Sequence, residues 1–332
     1  MAEGVRGDCS PCSWANANFP DGPDPVCHTG RSRPKPLTYD HRTMSNDLHE
    51  RVMAWYAEHA RVLPWREPSA SPWAVMVSEF MLQQTPVNRV LPVFEEWIRT
   101  WPAPADLAAA STGDAIRAWG RLGYPRRALR LHGAATAIVA EHGGQVPTSR
   151  AALLALPGVG DYTAAAIASF AFGQRHAVLD TNVRRVLART VTGVELPPRT
   201  VTRGERDLAD ALLPDEAETA ATWAVAVMEL GALVCTASSP RCGACPVRGL
   251  CAWRAAGYPA YDGPVRRGQT YAGTDRQCRG RLLDVLREAH DPVHRSRLDV
   301  VWADGEQRGR CLAGLLDDGL VARLDEDVYA LP

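Results

Sequence analysis

Two carboxylates in unlike settings are the strongest candidates for chemistry in this 332-residue sequence. Glu79 lies in the almost entirely apolar segment WAVMVSEFMLQQT, and Asp180 follows the apolar residues AVL and precedes a predicted helix. A buried Glu79 would have a raised pKa and hold a proton near neutral pH, whereas a solvent-facing one would not. Asp180 could also serve only as a helix N-cap. One protonated acid and one carboxylate anion can cleave a glycosidic bond, because the acid protonates the leaving group and the anion stabilises the cationic sugar.

Four cysteines lie within 17 residues, at Cys235, Cys242, Cys245 and Cys251. Four thiolates this close in the chain can bind one centre, either a zinc ion or a [4Fe–4S] cluster. Zinc sites favour two Cys-x-x-Cys pairs, and only Cys242 and Cys245 form such a pair. The spacing therefore favours the cluster, in a structural or a redox role.

A Gly-x-Gly turn lies between two apolar helical patterns in LPGVGDYTAAAIASFAFG, residues 156–173. Gly158 and Gly160 allow a sharp turn that exposes backbone N–H groups at the start of the next helix, where a phosphate can bind. Such a turn can also be only a connection between helices. The segment AVLDTNVRRVLAR follows closely and favours the functional interpretation.

An all-α core is predicted to position these residues. Apolar residues at helical spacing, or strong helix formers, occur from residue 45 to about 260, and no segment there alternates convincingly like a strand. Start signals include Pro72 after Ser71 and Thr181 after Asp180. The predicted helices cover 46–59, 72–84, 86–99, 104–109, 112–120, 125–141, 149–154, 161–172, 181–191, 201–212 and 219–233.

The two ends of the chain differ from this core. Residues 1–44 are rich in Pro, Gly, Asn and Ser and are predicted to be disordered. Four potential zinc ligands in that segment have poor spacing, so we predict no site from Cys9, Cys12, Cys27 and His28. Residues 263–278 are predicted to be a linker, and residues 279–332 a small winged-helix-like unit. That unit has predicted helices near 280–289, 295–302 and 306–318, followed by a possible hairpin.

The composition is that of a soluble globular protein, with 46% hydrophobic and 23% charged residues. The chain has no apolar stretch long enough to span a bilayer, and its first residues lack the apolar core of a secretory signal, which predicts a cytoplasmic protein without a membrane partner. A net charge of −1 does not indicate nucleic-acid binding but leaves room for local basic patches. In a reducing compartment the clustered cysteines indicate metal binding rather than disulfides.

Together these segments resemble the helix-hairpin-helix DNA glycosylases with a Gly/Pro-rich hairpin and a catalytic aspartate, and among them the MutY-type adenine glycosylases. The resemblance covers about residues 48–262. It rests, besides the four cysteines, on LPWR (63–66), SEFMLQQTPV (78–87), RLGY (121–124), LPGVGDYTAAAI (156–167) and VLDTNVRRVLAR (178–189). It implies two helical lobes around a DNA-binding cleft. These are a six-helix barrel with the helix-hairpin-helix over 67–177, and an iron–sulfur cluster lobe from 45–66 and 178–262.

The resemblance also implies roles for individual residues. Glu79 would protonate the adenine ring and then help activate water, while Asp180, supported by Asn182, would stabilise the oxocarbenium-like sugar. Trp65 and Arg66 would line the adenine pocket, Gln84 and Tyr124 would push into the base stack, and residues 156–160 would bind phosphates. The full set of implied substrate or DNA contacts is Trp65, Arg66, Gln83, Gln84, Thr85, Leu122, Tyr124, Leu156, Gly158, Val159 and Gly160.

The implied cofactors are a [4Fe–4S] cluster on the four cysteines and a monovalent cation held by carbonyl groups of the hairpin. The cluster would shape a DNA-contacting loop containing Arg241 and Arg248. The implied partner is double-stranded DNA with adenine opposite 8-oxoguanine or guanine, bound by a monomer. The adenine is reached only by flipping it out of the duplex.

Tyr162 separates this interpretation from its nearest competitor. Endonuclease III uses a lysine at the matching position to form a Schiff base and cut the strand, and Lys35 is the only lysine here. The resemblance therefore implies a monofunctional enzyme. A thymine-mismatch glycosylase also carries tyrosine there, but Glu79 with the following Gln-Gln-Thr favours the adenine enzyme. A non-catalytic mismatch-binding protein and a zinc-containing DNA-binding module are the remaining alternatives.

The C-terminal part departs from the family pattern. Relatives usually carry a larger C-terminal domain that inspects 8-oxoguanine, and the stretch after residue 262 is too short to match it obviously. Recognition of the opposite base is therefore expected to depend more on the catalytic core.

Overall fold

A computed structural model describes residues 41–264 and 270–332. Most of the segment predicted to be disordered, with Lys35 and the four potential zinc ligands, lies outside these residues. The first helix begins at His41, five residues before its predicted start, so residues 41–44 are helical rather than disordered. No proline or glycine lies between Leu37 and Met44 to stop the helix.

Helices account for most of the described chain. Each of the eleven helices predicted between residues 46 and 233 has a counterpart, which confirms the all-α core. The helices of this part are α1 (His41–His59), α2 (Pro72–Leu82), α3 (Val87–Thr100), α4 (Pro104–Ala109), α5 (Thr112–Trp119), α6 (Arg126–His142), α7 (Arg150–Ala155), α8 (Asp161–Phe172), α9 (Thr181–Leu187), α10 (Arg203–Ala211), α11 (Ala217–Leu233) and α12 (Ala252–Ala255). Short 3₁₀ turns lie at Pro64–Arg66 and Cys242–Ala244.

The predicted start signals act as caps. The Ser71 hydroxyl accepts a hydrogen bond from the Ala74 N–H at 3.1 Å, with Pro72 at the first helical position of α2. The predicted helix 181–191 is in fact two elements, because α9 passes into a π-helical turn at Ala188–Thr192. Gly193 ends that turn in the left-handed region, with φ of 73°, which glycine adopts readily.

Buried apolar side chains group into clusters that follow the order of the helices. The first cluster runs from Leu63 to Ala168 and includes the large side chains of Trp97 and Trp119. The second joins α1 to α9, α10, α11 and Val247. Leu63 and Trp65 pack in the first cluster, although the predicted boundary assigned 45–66 to the other lobe, and the lobe boundaries stay predictions. None of the described helices is both long and apolar enough to cross a membrane.

The C-terminal unit, residues 275–332, has its own apolar cluster. Its elements are α13 (Asp275–Glu288), β1 (Val293–His294), α14 (Arg295–Asp299), α15 (Gly305–Asp317), β2 (Ala322–Asp325) and β3 (Val328–Ala330). The strands form an antiparallel sheet in the order β1-β3-β2. The helix predicted from residue 280, after a linker over 263–278, begins at Asp275 because the Thr274 side chain caps it. The sequence predicted the hairpin but not β1.

Candidate active site

Glu79 on α2 is buried, with 5% of its surface exposed, so the solvent-facing alternative is wrong. Its carboxyl group forms a hydrogen bond with the Tyr162 side chain from α8. Burial raises the pKa of Glu79 to about 7, and the negative charge of Asp180 raises it too. The Tyr162 hydrogen bond and the Arg66 charge act in the opposite direction. Glu79 can therefore carry a proton near neutral pH.

Asp180 is both the N-cap of α9 and part of this site. Its carboxylate accepts hydrogen bonds from the Val183 N–H at 2.6 Å and from Asn182 Nδ2 at 2.7 Å. Burial raises the pKa of the Asp180 carboxyl, and these two hydrogen bonds oppose the rise because they favour the anion. Arg185 Nη2 donates to Asn182 Oδ1 at 2.8 Å and so fixes the amide. A Cβ at Gly231 would lie 2.6 Å from Asn182 Cβ, so only glycine allows α11 to pass this close.

Tyr162 completes the group. Burial and the neighbouring charges of Glu79 and Asp180 raise its pKa well above the usual value, so its hydroxyl stays neutral and can donate. Three helices from distant parts of the chain, α2, α8 and α9, bring these side chains together. An acid that can carry a proton near neutral pH thus lies close to a carboxyl group whose anionic form is favoured by two hydrogen bonds, and glycosidic cleavage uses such a pair.

Glu229 on α11 is a site residue that the sequence reasoning missed. It is fully buried, and its Oε1 accepts from Arg61 Nε at 2.6 Å while its Oε2 accepts from Arg66 Nη2 at 3.0 Å. Burial favours the neutral acid, but hydrogen bonds from Arg61 and Arg66 outweigh it and lower the pKa of Glu229 to about 2. An isolated carboxylate in the apolar segment WAVAVMELGALVC was the available signal, of the same kind that singled out Glu79.

The predicted pocket residues Trp65 and Arg66 occupy a 3₁₀ turn beside these carboxylates. The Trp65 ring is buried edge-on against Phe94, with ring centroids 4.9 Å apart. Arg66 Nη1 is buried and has no hydrogen-bond partner among the described residues. A buried N–H group without a partner is uncommon in folded proteins, which marks Arg66 as a candidate binding residue.

Two loops carry the residues predicted to enter the base stack. Gln84 follows α2 with φ of 55°, and Tyr124 precedes α6 with φ of 48° and 46% of its surface exposed. Thr85 and Leu122, also predicted DNA contacts, are buried, and the Thr85 hydroxyl donates to the Leu122 carbonyl at 3.3 Å. The hydrogen bond from the Thr85 side chain to the Leu122 backbone joins the two loops to each other. Gln83 lies at the end of α2, with its amide 3.5 Å from the Thr163 hydroxyl.

Arg127, which the sequence reasoning also missed, fixes both loops. Its Nη1 donates to the carbonyls of Phe80 and Gln83 at 2.9 and 2.6 Å, and its Nη2 donates to the Thr85 hydroxyl at 3.1 Å and the Gly123 carbonyl at 3.0 Å. Burial lowers the pKa of Arg127 to about 10, so the guanidinium remains charged at neutral pH. Nothing in RLGYPRRALRLH distinguished it from its neighbouring arginines.

The hairpin Leu156–Gly160 separates α7 from α8. Leu156 and Val159 are buried in the hairpin. Gly158 has φ of 78°, and a Cβ there would lie 2.6 Å from Arg130 Cβ, so glycine is required. A Cβ at Gly160 would meet nothing within 4 Å. Among the described residues, the N–H groups of Gly158 and Gly160 donate no hydrogen bond.

The four cysteines line one small cavity of about 20 Å³. Burial raises the pKa of the Cys245 thiol to about 11, and the other three cysteines raise it too, so this thiol becomes a thiolate ligand only when a bound metal stabilises the negative charge. Arg189 Nη1 lies 3.4 Å from Cys235 Sγ. An iron–sulfur cluster is held by cysteine thiolates, and four cysteines lie around this cavity. The residues present fit an iron–sulfur cluster, and Arg241 and Arg248 are exposed next to it.

Two protein families match this chain. The model of the HhH-GPD superfamily base excision DNA repair proteins matches residues 77–203, which contain Glu79, Tyr162 and Asp180. The iron–sulfur binding domain of endonuclease III matches residues 235–251, which contain all four cysteines. The helix-hairpin-helix glycosylase fold and the binding of an iron–sulfur cluster are therefore confirmed, whereas the two lobes and the winged-helix character of the C-terminal unit stay predictions.

Relatives match over most of the chain. The adenine DNA glycosylase of Mycobacterium tuberculosis is 57% identical over 283 residues, 85% of this chain and 92% of the relative. The adenine DNA glycosylase of Mycolicibacterium smegmatis is 53% identical over 84% of this chain and 94% of the relative. The structure of a thermostable thymine-DNA glycosylase matches 65% of this chain and 98% of its own, with a TM-score of 0.59. At 24% identity that structure supports the fold alone.

Proposed function

The chain belongs to the adenine DNA glycosylase family, and we propose that it removes adenine mispaired with 8-oxoguanine or guanine in double-stranded DNA. One observation carries the catalytic part of this proposal. The acid Glu79, with a pKa of about 7, lies beside Tyr162 and within the electrostatic influence of Asp180. Endonuclease III and the thymine-mismatch glycosylases share the fold, so the fold alone does not separate them from an adenine glycosylase. The pair of carboxylates, Glu79 and Asp180, argues against a protein that only binds mismatches.

Glu79 supplies the proton in the proposed reaction. The neutral acid donates to a ring nitrogen of the flipped adenine, and the bond between that base and the sugar breaks with its electron pair leaving on the adenine. The resulting Glu79 carboxylate then accepts a proton from the water that attacks the sugar, which restores the acid. Tyr162 holds the carboxyl in place through its hydrogen bond.

Asp180 stabilises the cation that forms on the sugar. The hydrogen bonds from Val183 and Asn182 favour its ionised form and fix its direction, so it need not reorganise as positive charge develops. Arg185 orients Asn182 and so acts one step further from the sugar.

The adenine pocket and the DNA contacts follow from the remaining site residues. Arg66, fixed by Glu229, offers its unpartnered Nη1 to the base, with Trp65 as an apolar wall. Gln84 and Tyr124 enter the base stack from their two loops. The unpaired N–H groups of the hairpin bind a backbone phosphate, and carbonyl groups of the hairpin hold a monovalent cation.

Base removal without strand cleavage completes the proposal. Tyr162 occupies the position where a lyase has lysine, and the described residues contain no lysine. No amine is therefore placed to form a Schiff base. The iron–sulfur cluster, which we propose to be of the [4Fe–4S] type, supplies structural stability to the loop with Arg241 and Arg248. We propose that the enzyme acts as a monomer.

A single-turnover assay with four duplexes tests the proposal. They place adenine opposite 8-oxoguanine, guanine, cytosine or thymine, and hot alkali reveals the abasic site. We expect cleavage of the first two after alkali, and no adduct with borohydride. Asp180→Asn should bind the duplex but lose turnover, whereas the exposed Asp207→Asn should behave as wild type. Cluster-loaded protein that leaves every adenine intact would refute the proposal, and a borohydride adduct would favour the lyase alternative.

A further inference from the structure

The C-terminal unit packs against both helices that flank the loop of residues 120–124. On the α5 side, Arg117 Nη2 donates to the Ala289 carbonyl at 3.0 Å, and Arg287 Nε donates to the Ile116 carbonyl at 3.1 Å. The Ile116 side chain is fully buried in the apolar cluster of the C-terminal unit. This reciprocal contact fixes the C-terminal end of α13 to the helix that leads into the loop.

The α6 side of the loop is held as well. Arg126, on the first turn of α6, pairs with Asp318 at 3.2 Å. Within the loop, Arg121 pairs with Asp284 of α13 at 3.1 Å. Each of these pairs is partly exposed and contributes little alone. Together with the buried α5 contact, they place α13 and the end of α15 alongside the loop.

The loop itself needs such support because its backbone is unusual. Gly120, Gly123 and Tyr124 all have positive φ, at 53°, 86° and 48°. A non-glycine residue in the left-handed region is strained, and Tyr124 stays there only if its surroundings hold it. Its side chain is nearly half exposed, so packing against the core supplies little of that restraint.

Two guanidinium groups contact the Tyr124 ring. The Arg127 guanidinium carbon lies 5.3 Å from the ring centroid, and that of Arg276 lies 5.5 Å from it. Both distances are within the range of a cation–π attraction. Arg127 belongs to the catalytic part of the molecule, whereas Arg276 is the second residue of α13. Arg276 is thus a direct contact between the C-terminal unit and the exposed ring.

The charge of the C-terminal unit argues against an independent role in binding DNA. Residues 275–332 contain nine arginines and twelve acidic residues. Three of the acidic residues, Asp325, Glu326 and Asp327, lie consecutively at the turn between β2 and β3. This turn would be the wing of a winged-helix unit, and negative charge there repels phosphates. The unit is therefore expected to affect recognition of the mispair through its contact with the 120–124 loop rather than through a contact with DNA.

We propose that Arg276 is a positioning residue for Tyr124, through which the C-terminal unit sets the conformation of the loop that meets the mispair. This inference rests on the proposed function, because the contact of Tyr124 with the base stack belongs to it. It explains how a short, acidic C-terminal unit can influence discrimination between opposite bases without touching DNA.

The first experiment compares discrimination between duplexes in full-length, cluster-loaded protein. Arg276→Ala should lower the ratio of single-turnover rates on adenine opposite 8-oxoguanine and opposite cytosine by roughly two- to fivefold, the size of one exposed cation–π contact. Arg276→Lys keeps the charge without the planar group and should retain part of the ratio. Arg281→Ala removes another exposed arginine from the same helix and should leave the ratio unchanged.

A double-mutant cycle separates positioning from a direct DNA contact. In a Tyr124→Ala background, Arg276→Ala should cause no further loss of affinity or discrimination, because its effect passes through the ring. The salt dependence of binding should keep its slope, whereas loss of a phosphate contact reduces that slope by about one. Equal losses with and without Tyr124, a reduced slope, or wild-type ratios in Arg276→Ala would each overturn the inference.

Failure of the positioning role of Arg276 can be distinguished from failure of the proposed glycosylase activity. If wild-type protein cleaves none of the duplexes, the proposed function fails. The same cycle is then read from equilibrium affinities for mismatched and matched duplexes. Coupling between Arg276 and Tyr124 in those affinities would still support the positioning role, and its absence would refute it.

Discussion

Replacing Tyr162 by phenylalanine should move the pH dependence of catalysis to higher pH. In the wild-type enzyme the Tyr162 hydroxyl donates to the Glu79 carboxyl and lowers its pKa, against the stronger effect of burial that brings it to about 7. Phenylalanine keeps the ring and the burial but removes the donor. The pKa of Glu79 in the variant should therefore rise.

The size of the shift follows from the hydrogen bond. A bond to a charged group contributes about 1.5–3 kcal/mol. The hydroxyl can also bond the neutral acid, so the difference between the two protonation states is smaller, about 1.4 kcal/mol. That difference corresponds to one pH unit and places the pKa of Glu79 near 8 in the variant. At pH 8 about half of the variant then has the neutral acid, against about a tenth of the wild type.

Single-turnover cleavage of adenine opposite 8-oxoguanine, measured from pH 5 to pH 9.5, tests this prediction. The rate should fall at high pH with a midpoint near 7 in the wild type and near 8 in Tyr162→Phe. The comparison uses the midpoint rather than the maximal rate, so a general loss of activity does not affect it. Thr163→Val, at the next position of α8, serves as the control and should keep the midpoint near 7. An unmoved midpoint, or one displaced to lower pH, would show that Tyr162 does not stabilise the Glu79 carboxylate.

The remaining predictions concern stability and the cluster. Glu79→Gln should be more stable than the wild type above pH 7, by about 3 kcal/mol, because the folded protein raises the pKa of this acid from 4.5 to about 7. The difference should fade as the pH falls toward 4.5, which urea unfolding at pH 5 and pH 8 would measure. Glu229→Gln should cost about 3–5 kcal/mol in thermal unfolding, because it leaves two arginines without their buried anion, whereas the exposed Glu96→Gln should have almost no effect. Arg127→Met should lower stability by at least about 3 kcal/mol and slow adenine removal, since several carbonyl groups lose a charged donor. Cys242→Ser should reduce iron content and visible absorbance, and normal iron content would refute its role as a ligand.

Local features were predictable from the sequence because each depends on residues close together in the chain. The side chains of Ser71 and Asp180 cap their helices by accepting a hydrogen bond from the N–H group three residues later. Such a cap can therefore be recognised from a few consecutive residues of the sequence. The spacing of the four cysteines is likewise local, and it predicted an iron–sulfur site within residues 235–251. Helix boundaries were less certain where no cap marked them, as at His41.

The protonation of Glu79 depended on the tertiary structure. The apolar residues around Glu79 in the sequence were compatible with either a buried or an exposed side chain. The packing of α8 against α2 buries Glu79 and places Tyr162 within hydrogen-bond distance of its carboxyl group. The importance of Glu229 and Arg127 was hidden for the same reason. Glu229 bonds Arg61, which lies 168 residues away in the chain, and Arg127 bonds carbonyl groups more than 40 residues away.

The C-terminal unit shows the same division between local and long-range information. Its helices and hairpin were visible as local patterns, but its contact with the 120–124 loop was not. The sequence thus determined which elements form and which residues can do chemistry, because helix periodicity, caps and ligand spacing are short-range. The pKa of Glu79 and the contacts that support the loops with Gln84 and Tyr124 were decided only when distant helices packed, since burial and charge act through space rather than along the chain.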